Sequence, residues 1–245
     1  MTLFFVFLIG LATGVIDTVA GIGGLFSIPL LVLSGLPPQT AIACDRFGVI
    51  GASLFSFLRY LKSGNILWKW IPVLSALAVA GGLIGANVVV SVEPETLKKV
   101  IGVIVLLSLP IIFLKKEIGV IHRPTGNLRK AAGLVLFFSV MIYGGFLGVS
   151  SGPLLMIIFS TFLGFTILQT QATGQMPWIA LSIASFIVFG IHGFIDWPAC
   201  LAMIAGMATG GWVGTGWALK LGNRYLKYIL GLVCAGVCVV LLLGI

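Results

Sequence analysis

Long uncharged runs of apolar residues constrain this chain more than any other feature of its sequence. From residue 131 to residue 195 there is no Asp, Glu, Lys or Arg, and the runs 71–92, 198–219 and 228–245 are also uncharged. A helix rises 1.5 Å per residue, so each of the last three runs can cross about 30 Å of hydrocarbon. With 60% hydrophobic and 8% charged residues, the chain has too little polar surface to cover a water-soluble globule. The sequence therefore predicts an all-α polytopic membrane protein.

Six segments are predicted to be ordinary spans, and two segments are too long for one crossing. The ordinary spans are expected at 39–59, 67–90, 97–114, 170–191, 198–219 and 225–243. Segments 1–33 and 130–163 are longer, and small residues interrupt them at 20–24 and 148–153. Glycine and proline at these breaks free backbone groups that lipid cannot pair. Each break must therefore be buried in protein or line a wet cavity.

The two breaks indicate an internal repeat. Gly21 and Gly148 lie 127 residues apart, and each break is followed by an apolar arm and three predicted spans. The expected organisation is a first membrane repeat at 1–115, a cytoplasmic linker at 116–128 and a second membrane repeat at 129–245.

The distribution of charge predicts how the repeats are oriented. Basic residues cluster at 59–69, 115–130 and 220–227, and the positive-inside rule places such clusters in the cytoplasm. All three clusters reach the cytoplasm only if each broken segment is a hairpin that returns to its starting side. This model makes the halves inverted repeats in the plasma membrane, with both termini extracytoplasmic. Inverted repeats with a binding site at broken helices are typical of alternating-access transporters.

Short motifs in both halves resemble a known family. The runs GVIDTVAGIGGL at 14–25, IPLL at 28–31 and GLPP at 35–38 are similar to the signature of the TauE/SafE family of sulfite and sulfonate transporters. In the second half, YGGFLG at 143–148, SSG at 150–152 and LGF at 163–165 resemble the matching repeat. This resemblance implies a plasma-membrane permease for organosulfur or related anions, without a prosthetic group.

The chain departs from the family pattern after each hairpin. Relatives commonly carry a run like Ala-x-Gly-Thr-Asn-Lys, whereas this chain reads AIACDR at 41–46 and ATGQMPW, without a cation, at 172–178. The resemblance therefore identifies neither the substrate nor a second binding cation.

The breaks are the first candidate binding site. An arm that begins in mid-membrane points backbone N–H groups and the positive end of its dipole at the cavity, which favours an anion. Serine hydroxyls there can act as further donors. The alternative is that the glycines only allow close helix packing. The candidate substrate-binding residues at the breaks are Gly21, Gly23, Gly24, Ser150, Ser151 and Gly152.

Charged and polar residues inside the spans are the second candidate site. An ionised group at the bilayer centre costs at least ~2.5 kcal/mol, so Asp17, Asp45 and Arg46 are expected to face partners or water. The planar guanidinium of Arg46 can hold two oxygens of a sulfonate or sulfite. Asp17 is a candidate to pair with Arg46 or to bind a coupling proton, and the alternative is an Asp–Arg pair that only fixes helix packing. Gln175 and Thr173 can hydrogen-bond either the substrate or a neighbouring helix.

These features favour a secondary transporter for a small sulfur-containing anion, with the proton as a candidate coupled ion. A passive anion channel is the alternative, and a non-transporting membrane scaffold is a third possibility that would need no charges at mid-membrane. The sequence contains no nucleophile–base–orienter set, no metal-ligand spacing and no P-loop, so no enzyme, cofactor or metal is expected. The expected partners are the small anion, protons and membrane lipid. Nucleic acid is not expected, because the basic residues lie between spans.

Overall fold

The computed structural model describes residues 3–113, 126–149 and 151–242, with side chains for 3–104, 126–149 and 151–221. No strand occurs in these ranges, and the all-α prediction is confirmed. A 3₁₀ turn at Trp68–Trp70 precedes the fourth helix, and a π-helical turn at Phe159–Leu163 follows the seventh. The described helices are α1 Leu3–Ala20, α2 Gly24–Leu33, α3 Pro38–Tyr60, α4 Ile71–Ser91, α5 Pro94–Phe113, α6 Asn127–Phe146, α7 Ser151–Ile158, α8 Ile167–Ile191 and α9 Trp197–Leu242.

Six helical segments within the described residues are long and apolar enough to cross a membrane. Two shorter apolar helices, Gly24–Leu33 and Ser151–Leu163, follow the two breaks. The prediction of a multi-pass membrane protein is therefore confirmed. The six segments are Leu3–Ala20, Pro38–Tyr60, Trp68–Ser91, Asn127–Phe146, Ile167–Ile191 and Trp197–Leu221.

Each short helix folds back along the helix before it. Val6 and Ile9 near the start of α1 share a buried cluster with Leu31 near the end of α2, so these two helices are antiparallel. In the second half, a Cβ on Gly133 near the start of α6 would lie 2.7 Å from the Cβ of Phe162, which follows α7. Each break is thus the turn of a helical hairpin.

Local signals determine where the next long helices begin. Pro38 occupies the first turn of α3, where its missing N–H costs no hydrogen bond. Before α8, Thr166 and Gln169 form a reciprocal capping box: the Gln169 N–H donates to the Thr166 hydroxyl at 3.2 Å, and the Thr166 N–H donates to the Gln169 Oε1 at 3.0 Å.

The first set of packed helices consists of α1, α3 and α9. A Cβ on Gly10 would lie 2.8 Å from the Met203 carbonyl oxygen, and one on Gly14 would lie 2.6 Å from the Met207 carbonyl oxygen, so small residues let α1 and α9 approach closely. The Ser56 hydroxyl of α3 donates to the Gly211 carbonyl at 3.3 Å. The three helices of this set run parallel.

The second set consists of α4, α6 and α8. A Cβ on Gly81 of α4 would lie 2.7 Å from the Met141 Cβ of α6, and the Ser185 hydroxyl of α8 donates to the Gly82 carbonyl at 3.3 Å. Each set takes two helices from one half of the chain and one from the other, and exchanging the halves converts one set into the other. This pattern is the one expected for two related repeats. Their inverted symmetry and the boundaries at 1–115 and 129–245 remain predictions.

The final two predicted spans form a single helix, so the prediction of separate spans at 198–219 and 225–243 is wrong. α9 contains 46 residues and is about 69 Å long by the rise per residue. The second half therefore has two long helices after its hairpin in place of the three predicted, and with one crossing fewer the charge-based topology leaves the end of α9 on the cytoplasmic side. The basic cluster at 220–227 predicts a cytoplasmic connection between two spans, but residues 220–224 contain no proline. Gly222 and Asn223 each lower helix stability by about 1 kcal/mol or less, which does not end a helix.

Candidate functional site

The two breaks have the same backbone geometry. α1 ends at Ala20 and α6 ends at Phe146, and the glycines that follow, Gly21 and Gly148, both have a φ of +68°. Only glycine adopts this left-handed conformation without steric cost, and it is a common way to end a helix. The repeated glycines in the sequence are thus explained by two equivalent helix ends.

The two breaks contact each other at the centre of the molecule. The Gly152 N–H donates to the Gly21 carbonyl at 3.0 Å, and a Cβ on Gly152 would lie 2.7 Å from that oxygen. Any side chain at this point would force the hairpins apart. The crossing point of the two hairpins therefore requires glycine on both sides.

Side chains stabilise the two breaks in different ways. At the first break the Asp17 Oδ1 accepts a hydrogen bond from the Gly23 N–H at 2.9 Å. At the second break the Tyr143 hydroxyl donates to the Val149 carbonyl at 2.6 Å. The Ser151 hydroxyl also donates locally, to the Gly148 carbonyl at 2.9 Å. The Gly23 N–H and the Ser151 hydroxyl, which the sequence analysis proposed as donors to an anion, thus already donate to groups within the protein.

Arg46 of α3 reaches across to the second break. Its side chain is 3% exposed, and its Nη2 donates to the Leu147 carbonyl at 2.6 Å. That carbonyl lies at the C-terminal end of α6, where the helix dipole is negative and favours a cation. The Arg46 Nε has no hydrogen-bond partner among the described residues, although it is buried. A donor therefore remains for a ligand.

Asp45 is the acidic partner of Arg46. The Arg46 Nη2 and the Asp45 Oδ2 are 3.4 Å apart, and the Ser27 hydroxyl of α2 donates to the Asp45 Oδ1. No ion pair joins Asp17 to Arg46 in the described part of the chain. Asp17 instead stabilises the first break, a role that the sequence did not predict.

Two residues of α8 that sequence analysis missed also face this region. The Gln171 Nε2 donates to the Thr18 carbonyl at 3.1 Å, so a side chain of the second half contacts the end of α1 as Arg46 contacts the end of α6. The Thr170 hydroxyl is buried and has no partner within the described ranges. Gln171 lies one helical turn before Gln175, and this spacing was the available signal.

The predicted polar residues of α8 both make hydrogen bonds within the protein. The Gln175 Nε2 donates to the Gln171 carbonyl of its own helix at 3.0 Å. Thr173 accepts a hydrogen bond from the Leu67 N–H at 3.0 Å and thereby ties the start of α4 to α8. Gln175 remains beside the candidate ligand space, whereas Thr173 has a packing role.

A cavity lies where these groups meet. Trp178, Thr170 and Gln171 add to its wall. Gly23 is not among the lining residues, because it packs against Asp17, and Ser150 lies outside the described residues. The predicted site residues that line the cavity are Asp17, Gly21, Gly24, Asp45, Arg46, Ser151, Gly152 and Gln175.

This combination of a multi-pass helical fold, two touching hairpins and a buried polar cavity defines a membrane transport protein. The chain belongs to the sulfite exporter TauE/SafE family, whose model matches residues 6–241. The protein is therefore a membrane transporter of this family.

Several relatives are similar over nearly the whole chain. A "Probable membrane transporter protein ORF9" of Sinorhizobium sp is 26% identical, covering 97% of this chain and 91% of its own length. A "Probable membrane transporter protein" of Haemophilus influenzae is also 26% identical, with coverages of 90% and 87%. "Probable membrane transporter protein YfcA" of Escherichia coli K12 is 23% identical, with coverages of 94% and 85%. No solved structure matches the chain significantly.

Proposed function

We propose that this protein is a secondary transporter that moves sulfite, a sulfonate or a related organosulfur anion across the plasma membrane by alternating access. The observation that carries the proposal is a cavity whose lining residues include Arg46 and Thr170, each of which has a buried polar group, the Nε and the hydroxyl, without a partner among the described residues. A buried polar group without a hydrogen bond is costly, so such groups indicate a ligand or water in that space. The family description supports a sulfur oxyanion as that ligand.

The geometry of Arg46 suits an oxyanion. One edge of the guanidinium is held by the Leu147 carbonyl and Asp45, which fixes its orientation. The Nε edge remains for an oxygen of the substrate. A hydroxyl from Thr170 on the cavity wall supplies a second donor to a tetrahedral or pyramidal anion.

The charges in the cavity support proton coupling. Asp17, Asp45 and Arg46 all line it, so with all three ionised the fixed charge is negative and repels an anion. Protonation of one aspartate makes the site neutral. We assign that proton to Asp17, because Asp45 lies 3.4 Å from Arg46 whereas Asp17 has no ion-pair partner in the described part of the chain. Since linkage is reciprocal, proton uptake and anion binding strengthen each other.

The contacts around the cavity also support alternating access. Arg46, on the first helix set, contacts Leu147, and Gln171, on the second set, contacts Thr18. These hydrogen bonds join the two sets at their shared centre, where α3 and α8 also pack against each other and the rings of Phe47 and Phe186 stack 4.5 Å apart. Rocking of one set against the other would break them and open the cavity to one side, as in other transporters with repeats.

Flux measurements in reconstituted vesicles test this function. We expect saturable uptake of one or more of sulfite, sulfate, thiosulfate and simple sulfonates, and we expect an imposed pH gradient to drive it. Asp17→Asn should still exchange anion across the membrane but should no longer respond to the pH gradient. A non-saturating anion flux without proton movement would identify a passive channel, and the absence of any flux in folded protein would favour a scaffold.

A further inference from the structure

A groove on the outer surface between α3 and α9 lies apart from the cavity. Its walls are almost wholly apolar and include Phe55, Ile204, Ala208, Thr209, Trp212 and Val213. Residues 204–213 of α9 rise about 14 Å along the helix, which is close to half of the ~30 Å hydrocarbon thickness. The groove therefore has the length of one leaflet.

The cationic side chain of Arg59 lies at one end of this groove and is held by contacts to α9. Arg59 lies one helical turn beyond Phe55, and its guanidinium carbon is 4.9 Å from the centre of the Trp212 ring. Its Nη1 donates to the Trp212 carbonyl at 2.7 Å. A Cβ at Gly216 would lie 2.7 Å from the same Nη1, so glycine makes room for the guanidinium. Within the described ranges no other hydrogen bond of Arg59 is found, so its other N–H groups can contact a ligand.

Further positive charge surrounds Arg59. Lys62 follows it just after the end of α3, and Lys220 lies one turn beyond Gly216 on α9; both lysines are exposed. The sequence contains no Asp or Glu at 46–92 or after Asp196, so α4 and these parts of α3 and α9 bring no carboxylate to this end. A ligand that complements this site therefore has an anionic group directly attached to an apolar chain.

We propose that the groove and Arg59 form a binding site for an anionic phospholipid. One acyl chain lies along the groove, and the phosphate contacts Arg59, with Lys62 and Lys220 adding attraction. Basic residues at the cytoplasmic boundary attract anionic lipid, and the positive-inside rule predicts that this end is cytoplasmic. A second copy of the chain is a poorer occupant, because a symmetric contact through this face would bring two basic ends together.

Lipid-dependent stability tests the site without reference to transport. The purified protein is titrated with phosphatidylglycerol or with phosphatidylcholine of the same acyl chains, and both the unfolding midpoint and the number of bound lipids in native mass spectra are measured. We expect a larger midpoint increase and tighter retention with phosphatidylglycerol. Arg59→Gln should lower phosphatidylglycerol affinity about fivefold or more, as expected for one lost basic contact.

Two further variants make the result specific. Thr209→Phe fills the groove but leaves every cation in place, and it should also reduce phosphatidylglycerol retention. Lys69→Gln removes an exposed cation near the start of α4, in the other helix set, and should retain the lipid.

Four results would overturn the proposal. They are equal effects of the two lipids, an equal loss in Lys69→Gln and Arg59→Gln, and the same stabilisation by inorganic phosphate as by phosphatidylglycerol. The fourth is a change from a dimer to a monomer in the groove variants, which would make the groove a contact between copies.

Discussion

Arg46→Lys keeps the positive charge at this position but removes the planar guanidinium, so the variant tests the two properties separately. Arginine donates to Leu147 through Nη2 and keeps a separate N–H donor at Nε, which has no partner among the described residues, because its donors are spread over a rigid plane. The ammonium of lysine is a single point that cannot occupy both places. The variant should therefore lose one charge-assisted hydrogen bond to the substrate, worth about 1.5–3 kcal/mol. At 1.4 kcal/mol per factor of ten, this predicts roughly a ten- to hundredfold weaker substrate affinity.

Titration calorimetry in lipid nanodiscs measures this loss directly, and the KM for vesicle uptake should rise in parallel. Arg129→Lys makes the same change at an exposed position near the start of α6 and serves as the control. Unchanged substrate affinity in Arg46→Lys would refute the reasoning. So would recovery of normal affinity in the Asp45→Asn, Arg46→Gln double variant, because Arg46 would then only neutralise Asp45.

Three other predictions follow from the site and the topology. Thr170→Val keeps the shape of a buried side chain but removes a hydroxyl that has no partner among the described residues, so substrate affinity should fall about three- to tenfold. The control Thr13→Val affects only hydrogen bonding within α1 and should leave the affinity unchanged in the same calorimetry. Gly152→Ala should lower the thermal unfolding midpoint and abolish uptake because its Cβ would meet Gly21, and Gly102→Ala, whose Cβ meets nothing within 4 Å, should do neither. Reporter fusions at Met1 and in the linker at 116–128 should report the outside and the inside of the cell respectively, and matching signals would contradict the topology based on charge.

Much of the candidate site could be found from the sequence. Breaks in long apolar segments and charges at mid-membrane are visible without any structure, because lipid penalises both strongly. Eight of the eleven candidate residues therefore line the cavity. Thr170 escaped notice because a single threonine in a span usually bonds to its own helix, as Thr13 does.

Other features could not be predicted because they depend on which helices meet. The sequence presented Asp17 as a possible partner of Arg46, but the turn at the first break places the Gly23 N–H beside Asp17. The continuation of α9 through Gly222 and Asn223 was also missed, since a polar stretch without proline is compatible with both a loop and a helix.

A helical membrane protein with two glycine breaks can be predicted from the residues alone, because these properties follow from the solvent that surrounds each segment and from local backbone sterics. The groups that form the site depend on how the helices pack. Arg46 bonds to a carbonyl 101 positions away, and Gly152 bonds to Gly21 across the two halves. Such contacts arise when α3 and α8 cross the opposite hairpins, and no local pattern of residues specifies that crossing.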